Sequence, residues 1–206
     1  MSEVKERPIL MQSDMVCATL RDRKTQTRRV IKPQPELTDH SGFLWKGFLY
    51  GQGSTIENTY RNFSQLNCQH GRVGDHLWVR EQHFYSDIGS NMVEVVYLAD
   101  NKKIWQPVTN AQDAAIKRML AIRPSIHMPR WASRIDLEIV NIRVERLNDI
   151  SEADALAEGI ELHGTTRFDG ECKLAFKQLW QSINGPGSWD QNPWVWVIEF
   201  KRVKPS

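Results

Sequence analysis

The sequence predicts an α+β protein, a small, curved, mostly antiparallel β-barrel with helices at its rim. Three observations predict it. Short apolar runs alternate with a two-residue period, as in Leu77-Trp78-Val79-Arg80-Glu81 and Val93-Glu94-Val95-Val96-Tyr97-Leu98. Ile135, Leu137 and Ile139 share one face of a strand, and then the phase slips so that Ile142 and Val144 continue it. Such a slip is the signature of a β-bulge, which bends strands into barrels. Strands at irregular intervals also fit a barrel better than a doubly wound sheet.

The elements follow in order. Pro8-Ile9-Leu10-Met11 reads as a first strand. Ser13 is placed to cap a helix over 13–21, with Asp14 in its first turn and Met15, Val16, Thr19 and Leu20 on one buried face. Thr25 to Ile31 is rich in β-branched residues and stops at Lys32-Pro33, because proline cannot continue a ladder. Lys24 therefore falls in a helix-to-strand turn, where side chains and backbone amides converge. Gln34 to Gly74 is rich in Gly, Asn, Ser and Gln and exceeds ordinary loop length, so an irregular insertion covering the pocket is expected there.

Strands are expected next near 77–81 and 93–98, a helix over Ala111 to Leu120, and the phase-slipped strand over 135–146. Ser151-Glu152-Ala153-Asp154 opens a helix with an acidic variant of the capping box, and Gly159 closes it. A further helix runs from Glu171 to Ile183, with Cys172, Phe176, Leu179, Trp180 and Ile183 at helical spacing. Asn184-Gly185-Pro186-Gly187 ends it. Trp194, Trp196, Ile198 and Phe200 line one side of a last strand over 194–203. Trp78, Trp180, Trp194 and Trp196 thus read as core, and Trp45, Trp105, Trp131 and Trp189 as loop residues.

A chain of 206 residues with 40% hydrophobic content can bury a sizeable core, and no linker divides it, so 1–206 reads as a single domain. No apolar run is long enough to span a bilayer, and Met1 to Glu6 does not resemble a signal peptide. Cys17, Cys68 and Cys172 are odd in number and scattered, which argues for reduced thiols in the cytoplasm. Cys68-Gln69-His70 has no second pair at metal-ligand spacing, and Gly51-Gln52-Gly53-Ser54 lacks the rest of a phosphate loop. Neither a metal nor a cofactor is expected.

The net charge of +2 says little, but its distribution says more. Between positions 7 and 33 seven basic residues (Arg7, Arg21, Arg23, Lys24, Arg28, Arg29, Lys32) face only Asp14 and Asp22. A second basic stretch, 114–134, holds Lys117, Arg118, Arg123, Arg130 and Arg134 without a carboxylate. Between Glu145 and Glu171 the sign reverses. If the basic segments converge they make a footprint for a polyanion, with Trp131 free to stack on a base. If they lie apart, they are ordinary solvated surface or an edge strand guarded by charge.

The run Asp22-Arg23-Lys24-Thr25-Gln26-Thr27-Arg28-Arg29 resembles the G-x-K-x-x-E-x-R signature of the ASCH domain, a branch of the PUA-like β-barrel proteins. Lys24 and Arg29 fit; Asp22 replaces the glycine and Thr27 the glutamate. Threonine at that place resembles the small bacterial ASCH enzymes that deacetylate N4-acetylcytidine, whose late glutamate Glu158 matches in Ala157-Glu158-Gly159. The whole chain is similar to a longer ASCH subgroup of bacteriophages and prophages, through Arg7-Pro8-Ile9-Leu10, Gly74-Asp75-His76-Leu77-Trp78-Val79-Arg80-Glu81 and Ser125-Ile126-His127-Met128-Pro129-Arg130-Trp131-Ala132-Ser133-Arg134.

The resemblance implies a PUA-like barrel and a catalytic set of Lys24, Thr27 and Glu158. Amide hydrolysis needs a nucleophile, a base and protonation of the leaving amine. Thr27 supplies a hydroxyl. Lys24 is a base only if its pKa is depressed, and the like charges of Arg23, Arg28 and Arg29 push it that way. Two functions stay open, beside the bland reading of a phage accessory protein whose pocket has lost catalysis. One is an amidohydrolase of N4-acetylcytidine or a similar acylated nucleoside. The other is an RNA-binding module, or a ribonuclease, that holds single-stranded RNA on Arg23, Arg28, Arg29, Arg130, Trp131 and Arg134. No membrane partner is expected, and protein partners are not indicated.

Overall fold

The computed structural model describes residues 3–38, 42–51, 55–89, 92–107, 121–161 and 169–203. Strand β1 (Glu6–Leu10) leads into helix α1 (Ser13–Leu20) and strand β2 (Gln26–Val30), close to the expected bounds. Gln12 rather than Ser13 takes the N-cap position of α1, and no side chain caps it. Asp22 adopts φ 56°, which lets the chain reverse tightly between α1 and Lys24.

The 34–74 insertion is not irregular. It holds β3 (Glu36–Leu37), β4 (Phe43–Trp45), β5 (Phe48–Tyr50) and helix α2 (Ile56–Asn67). Lys46 and Gly47, both at positive φ, make the two-residue turn between β4 and β5. The Thr55 hydroxyl accepts from the Asn58 N–H and caps α2. Phe43, Trp45 and Phe63 from this insertion are buried against Trp194 and Trp196, with Phe63 stacked on Trp196 at 5.3 Å. Trp45 is therefore a core residue, its indole N–H donating to the Pro33 carbonyl.

Strand β6 (His76–Arg80) follows, then β7 (His83–Ile88), β8 (Met92–Tyr97) and β9 (Lys102–Pro107). The expected helix over 111–120 lies outside the described residues. Strand β10 (Asp136–Arg146), helix α3 (Glu152–Ala157), helix α4 (Glu171–Asn184) and strand β11 (Trp194–Val203) complete the chain. Ser151 caps α3 by accepting from the Asp154 N–H, and Gly159 at φ 90° ends it, as the sequence predicts.

The described strands do not form one closed barrel. Five make a mixed sheet in the order β1-β6-β10-β11-β2, and β3-β4-β5 and β7-β8-β9 make two small antiparallel sheets. Strand β8 leaves the main sheet because its sequence neighbours β7 and β9 hairpin onto it. The β1–β6 pair is parallel, joined through α1, β2 and the whole insertion. One face of the sheet meets a single core that includes Ile9, Leu77, Leu137, Ile139, Ile142, Trp196 and Ile198. The bulge expected in β10 is present, as a register shift between Ile139 and Asn141. Below the other face, α3 and α4 enclose a second core of Leu147, Phe176, Trp180, Trp189, Val195 and Val197. Trp189 lies in the turn before β11, as expected, but its side chain is buried in this core. Among the described residues no helix is long and apolar enough to cross a membrane.

Candidate functional site

Strand β2 is an edge strand, paired only with β11, and its alternation sorts the basic run. Thr27 lies opposite Ile198 and Arg29 opposite Trp196, on the face of the main core. Arg28 lies opposite Val197, on the α4 face. The bonds Phe200 N–H to Thr25 O and Ile31 N–H to Trp194 O fix the phase of the ladder. The N–H and C=O groups of Gln26, Arg28 and Val30 therefore turn toward the open edge.

A cavity of about 850 Å³ lies along that edge. Its walls include Ile9, Leu10 and Met11 on one side, Lys24 and Thr27 to Val30 on the other, and Phe176 and Trp180 of α4. Glu158 also reaches it, so the three residues expected to act together share one cavity wall. All three are buried.

Lys24 sits in the turn between α1 and β2. Its ammonium donates to the Gln26 carbonyl at 2.7 Å, the Glu158 carbonyl at 2.9 Å and Glu158 Oε2 at 2.8 Å. With the Thr25 N–H donating to the Ala157 carbonyl, the segment caps the C-terminal end of α3. The cause of the lysine's depressed pKa differs from expectation. Burial is the leading cause, opposed by Glu158, and Arg29 and Arg28 add less. Arg23 plays no part, because it turns outward to Glu161.

Arg28 anchors the other side of Glu158. It donates to Glu158 Oε1 at 3.0 Å, pairs with Glu145 through Nε at 2.9 Å, lies 3.4 Å from Asp154 Oδ2, and packs over the Phe176 ring. Arg143 continues the network to Asp154 and Glu145. Glu145 and Asp154 were missed at the level of sequence. Asp154 read only as part of a cap, and the side on which Glu145 falls depends on the bulge.

Gly159 brings α3 close. A Cβ there would lie 2.8 Å from the Ala18 Cβ and 3.0 Å from the Lys24 Cβ, so only glycine allows this approach. The Thr27 hydroxyl has no hydrogen-bond partner among the described residues and borders the cavity. His70, from the insertion, also borders it. Burial, with Arg29 and Arg7 adding to it, pushes its pKa down to about 4, and its Nε2 is buried without a partner. Burial pushes the neighbouring Cys68 thiol up to about 11. Among the described residues no three His, Cys, Asp or Glu side chains are grouped to hold a metal ion.

The second basic segment does not join this site through its described cations. Arg130 bonds Glu6 and Asp136, and Arg134 is forked between Glu81 and Asp100. Trp131 stacks on Tyr85 at 5.6 Å. Of the segment's described residues, Ser125 borders the cavity; Lys117 and Arg118 lie outside the described residues. Compared with known proteins, the chain matches no family model, no curated protein and no solved structure.

Proposed function

We propose that the chain is an amidohydrolase that removes the acyl group from N4-acetylcytidine or a similar acylated nucleoside, on a PUA-like barrel of the ASCH type. The observation that carries this reading is the buried Lys24–Glu158 pair, 2.8 Å apart, which lines the same cavity as the Thr27 side chain. The largely antiparallel five-stranded sheet, with its bulge in β10, supports the barrel.

The ammonium of Lys24 uses all three of its donors, two on carbonyls and one on Glu158. Burial favours loss of one proton, and the resulting amine is a base. The Thr27 oxygen attacks the acyl carbon and gives its proton to that amine. The Arg28 N–H, turned to the open edge, receives the developing oxyanion. The C–N bond then breaks, and Lys24 returns the proton to the departing exocyclic nitrogen. Water hydrolyses the acyl-threonine ester by the same exchange, releasing the carboxylic acid. Glu158 orients the lysine, and Arg28 with Glu145 and Asp154 holds Glu158 in place. Phe176, Leu179 and Trp180 offer an apolar wall to a base.

The test is chromatographic: purified protein incubated with N4-acetylcytidine should release cytidine and acetate in equal amounts. No turnover across pH 6 to 9 would end the reading.

A further inference from the structure

The cavity offers more charge than acyl transfer uses. Among the described residues, four cationic side chains border it (Lys24, Arg28, Arg29 and Lys32) against one carboxylate, Glu158. Glu158 is matched by Lys24 and Arg28, so Arg29 and Lys32 are surplus. The Arg29 guanidinium donates to the Leu10 carbonyl at 2.6 Å and forms no ion pair among the described residues. Burial holds its pKa below the ordinary arginine value. Glu158, the charge that opposes this shift, is already bonded by Lys24 and Arg28, so an arriving anion would relieve the remaining cost of burying Arg29.

Placement and size agree. Thr27 and Arg29 share one face of β2, about 7 Å apart along the strand, a span that a pyrimidine and its ribose cover. Lys32, past the end of β2, also borders the cavity. His70 borders the same cavity, neutral near pH 7, and its buried Nε2 has no hydrogen-bond partner among the described residues. The volume of about 850 Å³ lies in the upper part of the range of roughly 300–1,000 Å³ for small-molecule sites.

We infer that the substrate carries a phosphate: the cavity takes an acylated cytidine 5′-nucleotide, its base at Thr27 and Lys24 and its phosphate on Arg29, Lys32 and His70. This rests on the amidohydrolase reading for the identity of the base. The phosphate is bound and not transferred, so the bonds made and broken are those of the amide hydrolysis alone.

The experiment compares N4-acetylcytidine with its 5′-monophosphate as substrates. The nucleotide should have a kcat/KM about tenfold to a hundredfold higher, expressed mainly in KM, the worth of one or two charge-assisted hydrogen bonds. Arg29→Gln and Lys32→Gln should each shrink that ratio about tenfold; Lys32 is exposed, so its variant will fold even if the Arg29 variant does not. Equal kcat/KM for the two substrates overturns the phosphate inference and leaves the amidohydrolase standing. A short RNA containing N4-acetylcytidine that is hydrolysed faster than the mononucleotide overturns it in favour of a polymer. Calorimetry with cytidine 5′-monophosphate and cytidine reads the subsite without chemistry. Tighter binding of the monophosphate, lost in Lys32→Gln, supports the subsite even where no acetyl group is released, and the failure is then that of the amidohydrolase reading. Equal binding of the two overturns the subsite.

Discussion

Arg28 and Arg134 are both buried arginines from basic stretches of sequence, each forked between carboxylates and laid over an aromatic ring, Phe176 for Arg28 and Tyr97 for Arg134. Their surroundings differ. Around Arg134 the donors Nε, Nη1 and Nη2 all end on Glu81 or Asp100, and the Tyr97 hydroxyl ends on the Ala132 carbonyl. Around Arg28 the network runs through Glu158 to a lysine whose charge is disfavoured by burial, at a cavity that Thr27 also lines. A saturated polar cluster is what a fold requires of buried charge. A cluster that holds a charge disfavoured by burial at the wall of a cavity is where a ligand can meet it.

The sharpest way to break this contrast is to test the lysine as a base. Lys24→Arg keeps the charge but not the basicity, so turnover should fall about 10²–10⁴-fold. Glu158→Gln should fall comparably, and the double variant should be little worse than either single one, since the residues act as a unit. A fully active Lys24→Arg would remove the base assignment. For wild type, kcat/KM should rise with pH through a lysine pKa below the usual 10.5, because only the free amine accepts the proton.

The same kind of lesion in the closed cluster should read out as stability. Glu81→Ala leaves the buried Arg134 with Asp100 alone, and breaking such a pair costs about 3–5 kcal/mol. Urea denaturation would measure it, and turnover per folded molecule should be unchanged. Lost turnover without lost stability would invert the comparison.

Acid should weaken both regions through their histidines. His70 borders the cavity and His83 is fully buried near the closed cluster, and burial holds each pKa at about 4, against an unfolded value of 6.5. The unfolded chain binds the proton first, so stability is fully present above pH 6.5 and is lost as pH falls toward 4. The loss is up to about 3 kcal/mol per histidine. Thermal midpoints at pH 7, 5.5 and 4 will follow it, and His83→Gln should flatten the profile.

Gly159→Ala should cost about 1–2 kcal/mol for the left-handed backbone alone, and it crowds the Lys24 Cβ, so turnover should fall with stability. The smallest effect belongs to Arg130, which is 40% exposed in its pairs with Glu6 and Asp136. Arg130→Ala should change the urea midpoint by less than about 1 kcal/mol.

Much of the main sheet was legible in the sequence, because β6, β10 and β11 each carry apolar residues at alternate positions that face the main core. The phase slip at Val140 and the Ser151 cap were legible for the same reason: each is a local pattern with one physical solution. The order of strands was not. Periodicity says which face is buried and nothing about which strand lies alongside, so the parallel β1–β6 pair and the separate β7-β8-β9 sheet were invisible. The insertion was misread from its composition. Phe43 and Trp45 on alternate positions, a Lys46-Gly47 turn, and Thr59, Phe63 and Asn67 at helical spacing after Thr55 were signals present in it. At the site, the meeting of Lys24, Thr27 and Glu158 rested on a resemblance. The partners of Arg130 and Arg134 are far away in sequence, so the count of charges could not show that they were already engaged.

The bulge in β10 has a consequence for what changes the chain tolerates. Val140 is 41% exposed, and its side chain supports nothing in the core. Its presence nonetheless sets the count along the strand. With it, Ile142 and Val144 return to the core while Arg143 and Glu145 face α3 and Arg28. Remove that one residue and the strand beyond it turns over, so that two charged side chains enter an apolar interior and two aliphatic ones face the ion network. Position 140 should therefore accept nearly any amino acid and no deletion: the constraint is on the number of letters, and the letter itself is free.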